Sequence, residues 1–324
     1  MKSKVPELEP AAANSPSAKS TGRMRGGRVG NWIFTALVRF GGVRPAYVLL
    51  VPVVLYFLWA ERGAVKASRE YLRRLGRRGS WLSRFWGTYR HLYSYGQILV
   101  DRVAFIVGAA SRFRLCLDGE EYMRSALAEG KGLILVSAHC GNWEGAAHML
   151  ADRLHAPVNI LRYDAQEAHL RRFFAGSLKE EPRFRFIEAD GSPDCSLAIL
   201  AALRRGEIVA MHADRALGSH GRCMPFLGSP ARFPDGPYWV AAISGAPLIH
   251  TFAMRQGTYR YHFRAYPAEH LALGPPQERD QALAQWMGLF VHRLEEQVRE
   301  FPFQWINFYD FWAQDSAPQK KPPT

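Results

Sequence analysis

The sequence predicts an α/β protein, a mixed sheet flanked by helices, with membrane-associated helices at its N-terminal end. Short apolar runs alternate with helical stretches from about Gly130 onward, the pattern of strands and helices layered around one core. One run, Leu133–Ser137, is of buried-strand type and feeds directly into a turn and a helix. Further upstream, an uncharged apolar stretch abuts a cluster of arginines. A chain of 324 residues with 48% hydrophobic content is long enough for one large α/β domain with a terminal extension, or for two small domains.

Residues 1–30 carry few large apolar side chains and read as a flexible tail. Ala46–Ala60 is a run of fifteen residues without a charge. That is short of the roughly 20 needed to span a bilayer, and Pro52 interrupts it. Trp32–Phe40, apolar apart from Arg39, lies just upstream, so the two are expected to form a helical hairpin or a tilted anchor. The competing reading is a hydrophobic helix buried in the protein. A cleavable signal peptide fits poorly, because the apolar segment starts late and no small-residue cleavage site follows.

A basic helix is expected over about Ala64–Leu75, stopped by Gly76 and Gly79, and one or two helices over Trp81–Ala109. The aromatics of the latter suit either an acyl-chain groove or ordinary core. The core elements then follow: strand Leu133–Ser137, helix Gly145–Leu154, strand Val158–Leu161, helix formers over Glu167–Leu178 and strand Phe184–Ile187. Next come helix Cys195–Leu203 with Asp194 as N-cap, strand Glu207–His212, a glycine-rich loop with Gly218, Gly221 and Gly228, and helix Tyr238–Ile243. A hairpin, Leu248–Met254 with Tyr259–Ala265 around Gln256–Gly257, precedes an amphipathic helix over Gln281–Arg299.

The formal charge is +13. Between Glu61 and Arg84, eight basic residues face two acidic ones, a cluster able to bind nucleic acid, anionic headgroups or an acidic protein. Finger, RRM and OB-type signatures are absent and the cluster adjoins the apolar run, so a membrane surface is expected and nucleic acid is not. The four cysteines, Cys116, Cys140, Cys195 and Cys223, are widely spaced and are expected to be reduced thiols.

The chemistry is expected at His139 and Glu144, directly after the buried strand. On one regular helix, residues five apart point roughly 140° away from each other. With His139 in the strand-to-helix turn and Glu144 in the first helical turn, they can converge as a base and its orienting carboxylate. The imidazole would take a proton from an acceptor hydroxyl attacking an acyl thioester, while Glu144 holds the other ring nitrogen. Backbone N–H groups of Gly141 and Asn142 are expected to stabilise the oxyanion. Cys140 and His148 make a metal site conceivable, but no standard zinc spacing is present and no metal or cofactor is expected.

The block Ser137-Ala138-His139-Cys140-Gly141-Asn142-Trp143-Glu144 resembles the active-site block of the bacterial lipid A biosynthesis (lauroyl/myristoyl) acyltransferases, within the glycerolipid and lysophospholipid acyltransferase group. Further blocks follow that family's order: Glu188-Ala189-Asp190, Arg205-Gly206-Glu207, His212-Ala213-Asp214-Arg215, Pro225–Gly228, Ala231–Gly236 and Ser244–Ile249. The resemblance covers roughly Val43 to Trp312. It implies a glycerolipid-acyltransferase-like fold. With the composition, it divides the chain into an anchor and basic helix over 31–80, an acyltransferase domain over 81–314 and a polar tail over 315–324. It makes His139 and Glu144 the catalytic pair, with His139 the general base, and Asn142, Asp214, Arg215, Gly228 and Arg232 substrate-binding residues. Arg215 would hold an acceptor phosphate or the donor's phosphopantetheine, or else pair internally with Asp214 or Asp190. Gly228 and Arg232 match the region that contacts a headgroup phosphate.

The resemblance further implies acyl carrier protein as acyl donor, with CoA as the alternative, a lipid acceptor, and a place at the cytoplasmic face of a bacterial inner membrane. The ending Phe303–Trp312 resembles a divergent branch associated with unusual membrane lipids and aryl-polyene pigments, which leaves the acceptor open. Two other readings remain: a thioesterase or hydrolase using the same histidine on water, and a non-catalytic scaffold at the membrane surface.

Overall fold

The computed structural model describes residues 28–162, 184–189, 192–216 and 221–313. Gly42, at φ 77°, separates two helices, α1 (Arg28–Gly41) and α2 (Val43–Ala60). A left-handed backbone costs glycine little, and a Cβ here would come within 2.6 Å of the Tyr259 hydroxyl. The two helices pack together, as a hairpin should. α2 is three residues longer at its start than the uncharged run and contains Pro52. Its 18 residues have a mean hydropathy of 1.7 and are 28% buried, so it is long and apolar enough to cross a membrane.

The basic helix is α3 (Arg62–Arg74). The aromatic stretch forms one continuous helix, α4 (Trp81–Ile106), capped by Ser80, whose hydroxyl accepts from Ser83 N–H. Both α2 and α3 pack on α4, and Leu92, Val100 and Ala104 of α4 are core residues. Core packing therefore accounts for much of this helix.

After a short 3-10 turn the chain makes β1 (Arg114–Asp118) and α5 (Glu120–Ala128), neither of which was expected from the sequence. Then come β2 (Leu133–Ser137), α6 (Trp143–Leu154), β3 (Val158–Arg162), β4 (Phe184–Glu188), α7 (Pro193–Arg204) and β5 (Ile208–His212). The α7 cap is Ser192, accepting from Cys195 N–H, and not Asp194, which lies inside the first turn. The expected helix over Glu167–Leu178 lies outside the described residues. Much of the glycine-rich stretch proves to be a hairpin, β6 (Arg222–Phe226) with β7 (Ser229–Phe233). Leu227 and Gly228 both have positive φ, which suits a two-residue turn matched to strand twist. α8 (Gly236–Ser244), β8 (Leu248–Gly257), β9 (Arg260–Ala265) and α9 (Arg279–Glu300) complete the elements.

Seven strands form one sheet in the order β1-β9-β8-β2-β5-β3-β4. β8, β2, β5, β3 and β4 are parallel; β9 is antiparallel to β8, and β1 runs parallel to β9. Leu133, Leu135, Ile160 and Ile208 turn to the face covered by α5 and α6. Ile134, Val136, Val209 and Met211 turn to the other, covered by α7, α8, α9 and the C-terminal aromatics Trp305, Phe311 and Trp312. The expected mixed sheet flanked by helices is the fold observed.

Candidate active site

The centre of the sheet brings the site together through register. β2 and β5 are parallel neighbours with Ser137 opposite His212. Two residues beyond each strand end, His139 and Asp214 therefore lie side by side, where the C-terminal ends of parallel strands commonly form ligand sites. His139 Nδ1 is 2.7 Å from Asp214 Oδ1, and His139 backbone N–H donates to Oδ2 at 3.0 Å. Trp305 Nε1 donates to the same Oδ2, also at 3.0 Å. The Asp214 side chain is 1% exposed, whereas that of His139 is 23% exposed, so the ring reaches solvent and its carboxylate does not.

This corrects the expected partner of the histidine. The carboxylate on the imidazole is Asp214, 75 residues away in sequence. Glu144, in the first turn of α6, points its Oε2 at Arg102 Nε of α4, 3.1 Å away. Arg102 also lies over the Trp143 ring.

The Gly141 and Asn142 amides are not oxyanion donors either. Gly141 N–H donates to Gln304 O at 2.9 Å and Asn142 N–H to Ala253 O at 3.0 Å. These bonds build the turn that holds His139, and Ile306 N–H adds another to His139 O at 2.7 Å. Gly141 has φ 59°, and a Cβ there would fall 1.9 Å from Ala253 O, so the turn needs glycine. Asn142 is buried and caps α6, its Oδ1 accepting from Gly145 N–H.

Electrostatics favour a neutral, usable base. Burial pushes the His139 pKa below its ordinary value; Asp214 opposes this, while Arg215 and Arg102 add to it. Burial alone would raise the Asp214 carboxyl, but the charge and hydrogen bond of His139, with Arg215 and His212, hold it below the usual carboxylate range. An ionised Asp214 accepts only, so the neutral ring carries its proton on Nδ1 and keeps the lone pair on Nε2. The His212 ring lies against that of His139, centroids 4.2 Å apart and planes tilted by 30°, and burial followed by the neighbouring His139 keeps its pKa well down.

Arg215 donates through Nη2 to Ile306 O at 2.6 Å and lies over the Tyr309 ring. Asp190 lies outside the described residues. Gly228 sits in the β6–β7 turn, and Arg232 of β7 donates to Gly221 O at 3.1 Å. That hairpin packs on the site from behind, Phe226 meeting the Trp305 ring. Cys140 is fully buried, and burial pushes its thiol well above its ordinary pKa, which disfavours it as a metal ligand. The His148 side chain lies outside the described residues.

Beside His212, between the sheet and α6, lies a small apolar cavity of about 40 Å³, partly open to solvent. Leu135, Trp143, Leu150, Val158, Ile208 and Phe263 are among its walls. Sequence reasoning missed this cavity, the contribution of Arg102, and the role of Trp305.

The profile described as bacterial lipid A biosynthesis acyltransferase matches residues 90–314. The chain belongs to this family. Its match to the phosphatidylinositol mannoside acyltransferase of Mycobacterium tuberculosis is 27% identical over 206 residues, 63% of this chain and 62% of that protein. The protein of the same description from Mycolicibacterium smegmatis is 25% identical over 202 residues, 62% of this chain and 63% of the relative. The chain thus spans somewhat under two thirds of the length of these curated relatives. The family profile takes in the His139 turn, Asp214 and the C-terminal segment through Trp312 that braces them. It also covers Arg205-Gly206-Glu207, which serves as scaffold: Arg205 makes two hydrogen bonds to Glu207, and Glu207 accepts from Asn159.

Proposed function

We propose that this chain transfers a fatty acyl group from a thioester to a hydroxyl of a membrane lipid or lipid-like acceptor, with His139 as general base. The observation that carries the reading is the accessible His139 ring held by a buried, ionised Asp214. Nε2 would accept the acceptor's hydroxyl proton as the oxygen attacks the thioester carbonyl. Asp214 would stabilise the imidazolium, which then returns the proton to the departing thiolate. No protein nucleophile is required. Glu144 enters this proposal through Arg102, which it holds beside the site, and Arg215 remains a candidate for a phosphate of either substrate.

The small apolar cavity beside His212 suits a short stretch of an acyl chain, and a longer tail would extend out of its open side. Acyl carrier protein is the proposed donor, with CoA second; a +13 chain with arginines along α3 complements an acidic carrier. The relatives' description as phosphatidylinositol mannoside acyltransferases favours a glycolipid hydroxyl as acceptor. α2, with the basic α3 following it, supports attachment to a membrane whose anionic headgroups meet the arginines, at the cytoplasmic face of the inner membrane.

The test is to incubate the detergent-solubilised full chain with acyl carrier protein thioesters and total membrane lipid, and to identify products by mass spectrometry. An acylated lipid is expected, with formation reduced about 10²-fold or more in His139→Ala. Free fatty acid released at equal rates with and without lipid would replace this reading with a hydrolase.

A further inference from the structure

We propose that Cys116, Asp118 and His262 form a site for a thiophilic divalent cation of the zinc class, on the outer face of the sheet edge. β1 and β9 are parallel neighbours with Cys116 opposite His262 and Asp118 two residues further along. Strand alternation puts these three side chains on one face, while Leu115, Leu117 and Phe263 turn to the core on the other. One ligand atom from each residue lies within 4.8 Å of the other two. His262 Nε2 already meets Asp118 Oδ2 at 2.6 Å, with His262 nearly buried and Asp118 56% exposed.

A thiolate, an imidazole and a carboxylate match the ligand preferences of zinc, with a water completing a tetrahedron. Metal–ligand bonds of about 2.0–2.3 Å set neighbouring ligand atoms roughly 3.3–3.6 Å apart. The Asp118–His262 pair must open slightly and the thiol move in by about 1 Å, within reach of exposed side chains on rigid strands. On binding, the Cys116 thiol loses its proton to solvent. The imidazole proton moves from Nε2 to Nδ1, leaving Nε2 to the metal.

Two anionic ligands balance the cation. Arg114, Arg260 and Arg264 share this face, and Arg264 is itself met by Glu300 at 3.5 Å. These positive charges oppose the cation's approach, and the two anionic ligands must offset them. The site would pin β1, an edge strand whose sheet partner is β9, to its neighbour. That edge carries the N-terminal helices: Tyr259 accepts from Val43 N–H at 3.0 Å, and Phe113 and Tyr261 pack with Val43 and Tyr47.

Cobalt(II) titration of the full chain in detergent micelles tests this without reference to catalysis. One equivalent of cobalt is expected, giving a thiolate-to-cobalt charge-transfer band and tetrahedral d–d bands, both displaced by zinc, with a higher Tm in the loaded protein. Cys116→Ser, at an exposed position, should keep the fold by circular dichroism and lose the charge-transfer band. Asp118→Asn and His262→Gln should each weaken affinity by at least about tenfold. A Cys195→Ser/Cys223→Ser double variant should retain the spectrum, since Cys195 lies in α7 and Cys223 in β6. No thiolate band in the folded parent, a band that survives Cys116→Ser, or one indifferent to Asp118→Asn and His262→Gln would overturn the proposal.

Discussion

Asp214 receives three hydrogen bonds on one buried carboxylate, from the His139 ring, the His139 backbone and the Trp305 indole. Asp214→Asn would present an amide that can donate to Nδ1, driving the ring proton to Nε2 and removing the free lone pair. Acyl transfer is expected to fall about 10²- to 10⁴-fold with the fold retained, measured as kcat/KM alongside circular dichroism. A neutral ring is the competent form, so the parent's kcat/KM should climb with pH through a midpoint below the ordinary histidine value of 6.5 and then level off. Glu144→Gln separates the two carboxylates. Because Glu144 is held by Arg102, whose charge already lowers the His139 pKa, its loss of charge should move that acidic limb no higher and reduce acyl transfer far less than Asp214→Asn does. A loss in Glu144→Gln as large as in Asp214→Asn, with a limb untouched by Trp305→Phe, would reverse the assignment. Trp305→Phe, which takes one donor from Asp214, should make the carboxylate a stronger acceptor and move the limb to higher pH.

The elements around the site are joined by a second histidine. His91 of α4 has Nε2 2.8 Å from Trp305 O and Nδ1 2.9 Å from Ser68 Oγ of α3, so the neutral ring donates to the carbonyl and accepts from the hydroxyl. Burial lowers its pKa to about 4. A folded value below the unfolded one, about 6.5, stabilises the neutral form; this contribution is complete above pH 6.5 and is lost as pH falls toward 4. The associated slope is at most about 1.4 kcal/mol per pH unit for one proton. His91→Gln should therefore lose stability at pH 7 yet show a shallower decline to pH 4.5, read from urea melts at both values. Equal slopes in parent and variant would contradict it. His250, held near Arg293 and lowered by burial to about 3, contributes in the same direction and should remain in the variant.

At the scale of the whole molecule, α1 and α2 carry a run of exposed apolar side chains, besides scattered ones elsewhere such as Leu197 and Ile243. Val48, Val51, Leu55 and Trp59 of α2 recur at three- and four-residue steps and are 41–72% exposed, with Trp32 and Phe40 of α1 exposed nearby. A stripe of this kind on a water-facing surface is unfavourable, and a bilayer would cover it. Its inner side is tied to the sheet: Asp101 accepts from Tyr47 of α2 and from Tyr261 of β9, and meets Arg255 of β8 at 3.3 Å. Val48→Lys combined with Leu55→Lys should abolish co-flotation with anionic vesicles while leaving the sheet intact, since both side chains face away from the core. Undiminished flotation would place the membrane contact elsewhere.

What could be worked out from residue order alone was whatever local chemistry controls. Periodicity located α3, α9 and the β8–β9 hairpin, and the apolar run ending in Ser137 put His139 in a strand-to-helix turn. β1 escaped because its charged ends and half-exposed alternation resemble a loop, and β6–β7 because its glycine and proline look like punctuation. Which acid serves His139 was a matter for the tertiary structure. Asp214 lies 75 residues from it and Trp305 another 91 beyond, so no window of sequence contains all three. Their meeting depends on the hydrogen-bond register of β2 with β5 and on the final segment pairing along the His139 turn. Both are set by burying apolar faces across the sheet, a many-body packing outcome that neighbouring residues do not encode.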